Sequence, residues 1–218
     1  WTSDGQKISK SLGNTIDPFE IVEEFGSDQV RYFLLSSVPF GRDADFSKDL
    51  LTTKVNSDLA NDLGNLVQRV LSFAHKNAEE QIPAPGQFTD NDKALLKLAS
   101  DMPALVREHA EAQAIHKMCE AIWAVVGEAN RYVDKEEPWA LRKTDTDRMK
   151  TVLYVLADVI RHVAIVAQAI TPKAAIKILD QLVIPEDQRT IESLEIPLHS
   201  GVTIPKPEGV FPRITAPK

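Results

Sequence analysis

In the stretch LLTTKVNSDLANDLGNLVQRV, residues 50–70, apolar residues return every three or four positions. This spacing places side chains on one face of a helix, as in an amphipathic helix that packs against a core. The predicted inward-facing residues are Leu50, Leu51, Val55, Leu59, Leu63, Leu66, Val67 and Val70. With Ser47 as a predicted N-cap, the pattern predicts one long helix that extends to about Lys76.

Two further segments downstream show the same periodicity. Thr89 and Asp92 form the pattern of a capping box, so a helix is expected to begin there. Pro103 should kink or split that helix, because proline lacks the N–H that a helix interior needs. The next helix is predicted over about residues 113–135 and should stop ahead of Pro138.

The last long helix is expected to begin at a cap formed by Asp145 or Thr146. It should run to about Val183, with a kink at Pro172. Residues 185–218 follow with six prolines, so this tail is predicted to be extended and irregular, packing back on the helices.

The N-terminal part of the chain mixes strand and helix signals. Residues 1–5 read as the end of a strand that enters a turn. Asp17, followed directly by a proline, predicts a capped helix that ends at Gly26. Ser27 is the predicted cap of a second helix, and residues 43–46 could form a short strand.

These signals predict a mainly α protein. Residues 56–184 are expected to form an antiparallel bundle of four or five helices. A small α+β segment, residues 1–55, should precede the bundle, and the tail should follow it. A fold of this kind does not by itself indicate a function.

Charge and cysteine content limit the possible functions. The formal net charge of -7 argues against a protein that coats nucleic acid non-specifically, although a local positive stripe could still bind one defined RNA. The single cysteine, Cys119, rules out an internal disulfide and fits a reducing compartment. With no apolar run long enough to span a bilayer and no visible signal peptide, we expect a cytoplasmic protein without membrane contact.

The pentapeptide KISKS, residues 7–11, is the first group that indicates chemistry. Lys7 and Lys10 lie three positions apart, next to the hydroxyl groups of Ser9 and Ser11. Lysine acts as a point charge on phosphate oxygens, and hydroxyl groups add hydrogen bonds, so the segment suits a polyphosphate. A solvated surface turn is the alternative interpretation.

A second group of residues indicates RNA binding. Asn65 and Arg69 are four apart in a predicted helix and share one face, where a planar amide and a planar guanidinium could contact a base edge and a phosphate. Trp139 follows a helix end, where its indole could stack on an unpaired base. The alternatives are a solvated Asn–Arg pair and a tryptophan that serves as a packed lid.

Three sequence strings carry a resemblance to a known family. They are GQKISKSLGNTIDP, residues 5–18, DLANDLGNLVQR, residues 58–69, and ANRYVDKEEPW, residues 129–139. Their order and approximate spacing resemble those of the methionyl-tRNA synthetases, which are class I aminoacyl-tRNA synthetases. In this family the lysine–serine loop usually has methionine where Ile8 stands, a swap between apolar residues of similar volume.

The resemblance implies roles for the pentapeptide. Lys7, Ile8, Ser9, Lys10 and Ser11 match the loop that closes over ATP, bound with Mg in the full enzyme. Lys7 and Lys10 would then be catalytic, with Lys10 as the principal phosphate contact. They would stabilise the transition state in which the carboxylate of methionine attacks the α-phosphate.

The resemblance also implies a partner, methionine tRNA. Residues 56–184 would be a class Ia anticodon-binding domain, in which Asn65, Arg69 and Trp139 match the readers of the CAU anticodon, chiefly of its first base. Residues 14–54 match the region that contacts the inner side of the tRNA.

Parts of the family pattern are absent. The sequence has no H-I-G-H motif, since its histidines stand at positions 75, 109, 116, 162 and 199, and it has no cysteine cluster for zinc. We therefore expect the C-terminal part of such an enzyme, inactive without its N-terminal catalytic domain. No metal site, no stably bound cofactor, a mobile loop 7–11 and a monomer are expected.

Two other functions remain open from the sequence. One is a non-catalytic RNA-binding or assembly module, in which the lysine–serine loop would have no purpose. The other is a helical scaffold for protein interactions, in which Asn65, Arg69 and Trp139 would be incidental. Replacing Trp139 by alanine would then leave RNA affinity unchanged.

Overall fold

A small sheet forms the N-terminal edge of the molecule. The computed structural model describes residues 1–3 and 5–215; Asp4 of the predicted turn and residues 216–218 of the predicted tail lie outside the described residues. Strand β1 (Thr2–Ser3) pairs antiparallel with β2 (Gln6–Lys7) and parallel with β3 (Asp45–Phe46). Strand β3 lies within the predicted segment 43–46.

Two short helices follow the sheet. Helix α1 (Pro18–Phe25) begins at Asp17, whose carboxylate accepts a hydrogen bond from the Phe19 N–H, as predicted. Helix α2 (Ser27–Ser36) has Ser27 as its first residue, so the prediction of Ser27 as the cap was wrong. Gly26 occupies the cap position with a φ of 92°, a conformation that favours glycine.

The long helix predicted from residues 47–76 is continuous but not uniformly wound. Ser47 caps α3 (Lys48–Lys54), a π-helical segment covers Val55–Gly64, and α4 (Asn65–Asn77) completes it. The predicted extent is confirmed, whereas the π winding was not predicted. The predicted domain boundary between residues 55 and 56 falls inside this helix, and the three-part division stays a prediction.

The spacing of the core residues accounts for the wider winding. Leu51, Val55, Leu59 and Leu63 stand four positions apart and are at most 1% exposed. Four residues advance an α-helix by about 40° beyond a full turn, so such a series drifts off one face, whereas a π-helix has more residues in each turn. Leu50 is 50% exposed, so its predicted inward position was wrong.

The bundle continues with two 22-residue helices, α5 (Asp90–Glu111) and α6 (Ile115–Glu136). Thr89 and Asp92 form the predicted capping box at the start of α5. Helix α5 passes through the buried Pro103 without being split.

The segment that was predicted to form the last long helix forms two helices. After the short α7 (Pro138–Thr144), Asp145 caps α8 (Thr146–Ala167), and α9 (Pro172–Gln181) follows a break. The prediction of one helix to Val183 was wrong, because Pro172 starts a new helix at the position where a missing N–H costs nothing.

Side chains of α2 form hydrogen bonds with backbone groups at the break between α8 and α9. Arg31 donates hydrogen bonds to the carbonyl groups of Ala169 and Ile170, at 2.9 and 3.1 Å. The buried carboxylate of Asp28 accepts a hydrogen bond of 2.7 Å from the Ala174 N–H in the first turn of α9. The N-terminal segment is therefore attached to the far end of the bundle by hydrogen bonds.

The described tail, residues 185–215, is irregular and contains two short 3₁₀ turns, Glu186–Gln188 and Glu192–Glu195. It packs back on the bundle: Tyr154 donates a hydrogen bond of 2.9 Å to the Leu198 carbonyl, and the buried Phe211 lies against Gly64.

Candidate functional site

The signature loop, residues 7–11, forms a short turn after β2. Lys10–Leu12 is a 3₁₀ turn that ends at Gly13, which has a φ of 67°. The side chain of Asn14 spans the turn: it accepts a hydrogen bond from the Ser9 N–H at 2.8 Å and donates one to the Lys7 carbonyl at 3.1 Å. Asn14 thus gives the loop its shape, a role that we did not predict from the sequence.

The lysines of the signature loop face solvent. Lys7 and Lys10 are exposed, and neither forms an ion pair within residues 1–3 and 5–215. The hydroxyl groups of Ser9 and Ser11 contact each other at 2.7 Å. Ammonium and hydroxyl groups that a single five-residue segment presents to solvent can bind an anion such as a phosphate group. The expected mobility of the loop stays a prediction.

A second site lies on the bundle and consists of Asn65, Arg69, Asp134 and Trp139; we call it the Arg69 cluster. The guanidinium of Arg69 lies 5.9 Å from the ring centroid of Trp139, within the range of a cation–π interaction. Its Nη1 donates to the carboxylate of Asp134 at 2.9 Å. The exposed Asn65 stands one turn before Arg69 on α4. Helices α4, α6 and α7 thus bring together four side chains that can form hydrogen bonds, ion pairs or stacking contacts with a ligand.

Trp139 is the second residue of α7. The sequence correctly places it past the end of α6, but helix α7 itself was not predicted. Glu137 joins α6 and α7 in a left-handed conformation with a φ of 43°. Pro138 is buried, whereas Trp139 is 40% exposed, so the indole is presented at the surface.

Neighbouring residues use only part of the hydrogen-bonding capacity of the Arg69 guanidinium. Its side chain is 32% exposed, and its Nε is buried without a hydrogen-bond partner among the described residues. The ion pair with Asp134 orients the guanidinium, and a partly exposed ion pair of this kind contributes little to stability. Arg69 can therefore bind another acceptor at low cost. Nothing in the sequence pattern singles out Asp134 for this position.

The π-helical segment immediately precedes α4 and determines where α4 begins. Side chains of α6 donate to its carbonyl groups: Trp123 to Asp58 at 3.0 Å and Asn130 to Asp62 at 3.2 Å. A Cβ atom on Gly64 would stand 2.9 Å from the Leu59 carbonyl oxygen, closer than real contacts allow. Because the segment ends immediately before Asn65, its winding fixes the direction in which Asn65 and Arg69 point.

A largely buried ion network joins the helix ends on either side of α7. We call Asp92, Tyr132, Glu136 and Arg148 the Arg148 network. Arg148 binds both carboxylate oxygens of Asp92, at 2.5 and 2.7 Å, and the carboxylate of Glu136 at 2.7 Å. Tyr132 donates to Asp92 at 2.6 Å. The network connects α5, α6 and α8.

The Arg148 network keeps Asp92 ionised. Burial raises the pKa of Asp92, but hydrogen bonds from Arg148, Tyr132 and the Thr89 N–H outweigh it and lower the pKa to about 2. Burial also raises the pKa of Tyr132, as does its hydrogen bond to the Asp92 carboxylate. At neutral pH Asp92 is therefore a carboxylate, and Tyr132 is a neutral phenol.

The two sites are separate in the structure. No hydrogen bond or ion pair between described residues joins the signature loop to the Arg69 cluster. Across residues 1–3 and 5–215, no group of three or more His, Cys, Asp or Glu side chains is arranged to hold a metal ion. In the same part of the chain, no helix combines the length and the apolarity that crossing a bilayer requires.

Comparison with known proteins finds the same family along both parts of the chain. Residues 1–71 match the family of class I tRNA synthetases for methionine, and residues 82–218 match the anticodon-binding domain of methionyl-tRNA ligase. The methionine–tRNA ligase of Brucella suis is 51% identical over 210 residues, which are 96% of this chain and 41% of the relative. That of Mycobacterium tuberculosis is 45% identical over 218 residues, 98% of this chain and 42% of the relative.

The fold agrees with these matches. The structure of Mycobacterium tuberculosis methionyl-tRNA synthetase in complex with methionyl-adenylate superposes with a TM-score of 0.94 at 45% identity, covering 97% of this chain and 43% of that one. The chain thus spans about two fifths of the length of these relatives. With matches over both its N-terminal segment and its helix bundle, the chain belongs to the methionyl-tRNA synthetase family of class I aminoacyl-tRNA synthetases.

Proposed function

We propose that this chain is the C-terminal part of a methionine–tRNA ligase, in which the bundle recognises the CAU anticodon of methionine tRNA and the signature loop binds the phosphates of ATP. The observation that carries the proposal is the juxtaposition of Arg69 and Trp139, at 5.9 Å. These two residues are 70 positions apart, and the fold brings them together with Asn65 on one exposed surface.

Each side chain of the Arg69 cluster has a role in this proposal. The exposed indole of Trp139 stacks on the first anticodon base, a contact that contributes about 1–3 kcal/mol. The amide of Asn65 offers a donor and an acceptor to the Watson–Crick edge of cytosine. Arg69 binds a neighbouring phosphate or base acceptor with the guanidinium that Asp134 orients in the free protein.

The signature loop supplies positive charge to the phosphates of ATP. Lys10, with Lys7 beside it, stabilises the charge that develops when a carboxylate attacks the α-phosphate, while Ser9 and Ser11 donate hydrogen bonds to phosphate oxygens. The loop's ammonium and hydroxyl groups suit phosphate and not a divalent cation. Any Mg²⁺ would be held by the nucleotide and by groups outside the loop.

Adenylate formation would need a catalytic half that this chain does not contain. The sequence lacks the H-I-G-H motif, and the chain corresponds to about two fifths of its relatives. Apolar side chains on the N-terminal segment support docking to such a half; the exposed large ones among the first 50 residues are Trp1, Leu12, Phe19, Val22, Leu34, Phe40 and Leu50.

We expect a monomer that shows no methionine-dependent pyrophosphate exchange on its own. Exchange above the background of a Lys10→Ala control would contradict the inactivity.

RNA binding tests the anticodon proposal. The chain is titrated with a hairpin that presents CAU and with the same hairpin presenting GAU, at one fixed moderate salt concentration, because salt changes all such affinities. We expect tighter binding of CAU and loss of the preference in Asn65→Ala and Arg69→Ala. Lys93→Ala, an exposed cation on α5, is the matched control for a lost charge. Equal affinity for both hairpins would contradict the proposal and favour a non-specific binding or assembly module.

A further inference from the structure

We propose that Arg148 is a positioning residue for anticodon recognition: it fixes the short helix α7 and thereby the placement of Trp139. The inference rests on the proposed function of Trp139 as a base-stacking residue. Arg148 itself is only 16% exposed, and its guanidinium is bonded to Asp92 and Glu136, so its effect on RNA would be indirect.

The argument starts from the position of α7 in the chain. Glu136 is the last residue of α6, Arg148 is in the first turn of α8, and their ion pair of 2.7 Å joins these two helix ends. Helix α7 has seven residues and spans the gap between them. A helix of this length is not stable alone, so its placement depends on the ends to which it is attached.

The same guanidinium attaches both helix ends to α5. Its two hydrogen bonds to Asp92 are bidentate, the geometry that is strongest and most directional for arginine. The side chain of Asp92 is fully buried, and that of Glu136 is 14% exposed. Without Arg148, the buried carboxylate of Asp92 and the largely buried one of Glu136 would face each other with no cation between them. The end of α6 would then move away from α5 and displace Trp139, three residues further on.

A double-mutant cycle on RNA binding tests this inference, since it separates positioning from general stability. Binding of the CAU hairpin is measured for the wild-type chain, Arg148→Met, Trp139→Ala and the double variant, at a temperature where circular dichroism shows all of them folded. We expect Arg148→Met to weaken binding about three- to tenfold, because displacing the indole should cost no more than the lower part of the roughly 5- to 150-fold loss that removal of one stacked base would give. In the Trp139→Ala background the same substitution should change affinity less than about twofold.

Arg161→Met is the matched control. Arg161 is a buried arginine that likewise lies on α8 and forms an ion pair, with Asp158, about 20 Å further along the helix. It should lower stability without changing RNA affinity. Should Arg148→Met fail to fold, Glu136→Gln removes one ion pair while Asp92 keeps its partner, and it should act in the same direction.

Fluorine NMR of 5-fluorotryptophan-labelled chain provides a readout without RNA. The resonance of Trp139, assigned by its loss in Trp139→Phe, should shift or broaden in Arg148→Met and stay unchanged in Arg161→Met. If Trp139→Ala weakens RNA binding but Arg148→Met does not, or if Arg148→Met acts equally in both backgrounds, the inference is overturned. If Trp139→Ala has no effect on RNA binding, the proposed function itself fails.

Discussion

The signature loop and the Arg69 cluster both present cations to solvent, but the protein supports them in different ways. The hydrogen bonds of the loop side chains lie within residues 7–14, and one residue, Asn14, shapes the turn. The Arg69 cluster is assembled from three helices, and the largely buried Arg148 network joins the ends of α6 and α8 on either side of α7.

This difference indicates which groups outside each site that site depends on. The loop presents exposed charges, and we propose that its binding of ATP phosphates depends on a surface outside this chain. The Arg69 cluster has its aromatic ring, its cation and the partner of that cation already in contact in the free chain. The bundle is therefore expected to recognise RNA independently of the loop, and the loop should contribute nothing to the stability of the bundle.

The largest expected contrast is in stability. Arg148→Met should lower the free energy of unfolding by about 3–5 kcal/mol, because removal of one partner leaves buried charges uncompensated. Lys10→Ala should change it by less than about 0.5 kcal/mol, since Lys10 is exposed. Urea denaturation followed by circular dichroism measures both values. Similar losses in the two variants would remove the distinction between the sites.

Acid should affect the bundle through Asp92. The pKa of this carboxyl is about 2 in the folded chain, against an ordinary value of 3.8. A depressed pKa stabilises the folded state above the ordinary value, and the contribution is lost as the pH falls from about 3.8 toward about 2. Asp92→Asn should be less stable than the wild type at neutral pH and lose less stability across that interval. Parallel stability–pH curves for the two proteins would show that Asp92 is not responsible.

A glycine substitution tests the π-helical segment. Gly64→Ala should cost about 1–3 kcal/mol of unfolding free energy, because the new methyl group would meet the Leu59 carbonyl oxygen at 2.9 Å. Gly127→Ala, in the middle of α6, is the matched control, because the nearest atoms there lie 4.0 Å away at the end of the flexible Arg131 side chain. That substitution should be neutral or stabilise by about 0.5–1 kcal/mol. Equal effects would mean that the winding at Gly64 does not require glycine.

The smallest expected effect is in the loop itself. Asn14→Ala removes the acceptor of the Ser9 N–H and one donor to the Lys7 carbonyl, a loss of about 0.5–1.5 kcal/mol that stays local. Amide hydrogen exchange should therefore become faster at Ser9 and remain unchanged at Leu66 in α4. Unchanged exchange at Ser9 would indicate that the turn is held by other contacts.

Local signals in the sequence predicted much of this fold. The caps at Asp17, Ser47 and Thr89 depend on residues within three positions, and all three are present. The break before Pro172 was not predicted, because Arg31 and Asp28, which satisfy its backbone groups, come from α2, far away in the chain.

The same reasoning applies to the candidate site. The family resemblance indicated Asn65, Arg69 and Trp139, but no local pattern shows that Arg69 and Trp139 are in contact. Asp134 and Arg148 act through residues at least twelve positions away, so their roles follow only from packing. The π winding likewise depends on donors from α6.

The most direct test of the account is the ratio of the CAU and GAU hairpin affinities, measured in three variants of the chain. In Lys7→Ala/Lys10→Ala the ratio should equal that of the wild type. In Trp139→Ala it should fall toward one, while Trp1→Ala, which removes a similarly exposed indole (43% against 40%), should leave it unchanged. A ratio that falls in the loop variant and survives in Trp139→Ala would contradict the claim that the Arg69 cluster is a self-sufficient anticodon reader.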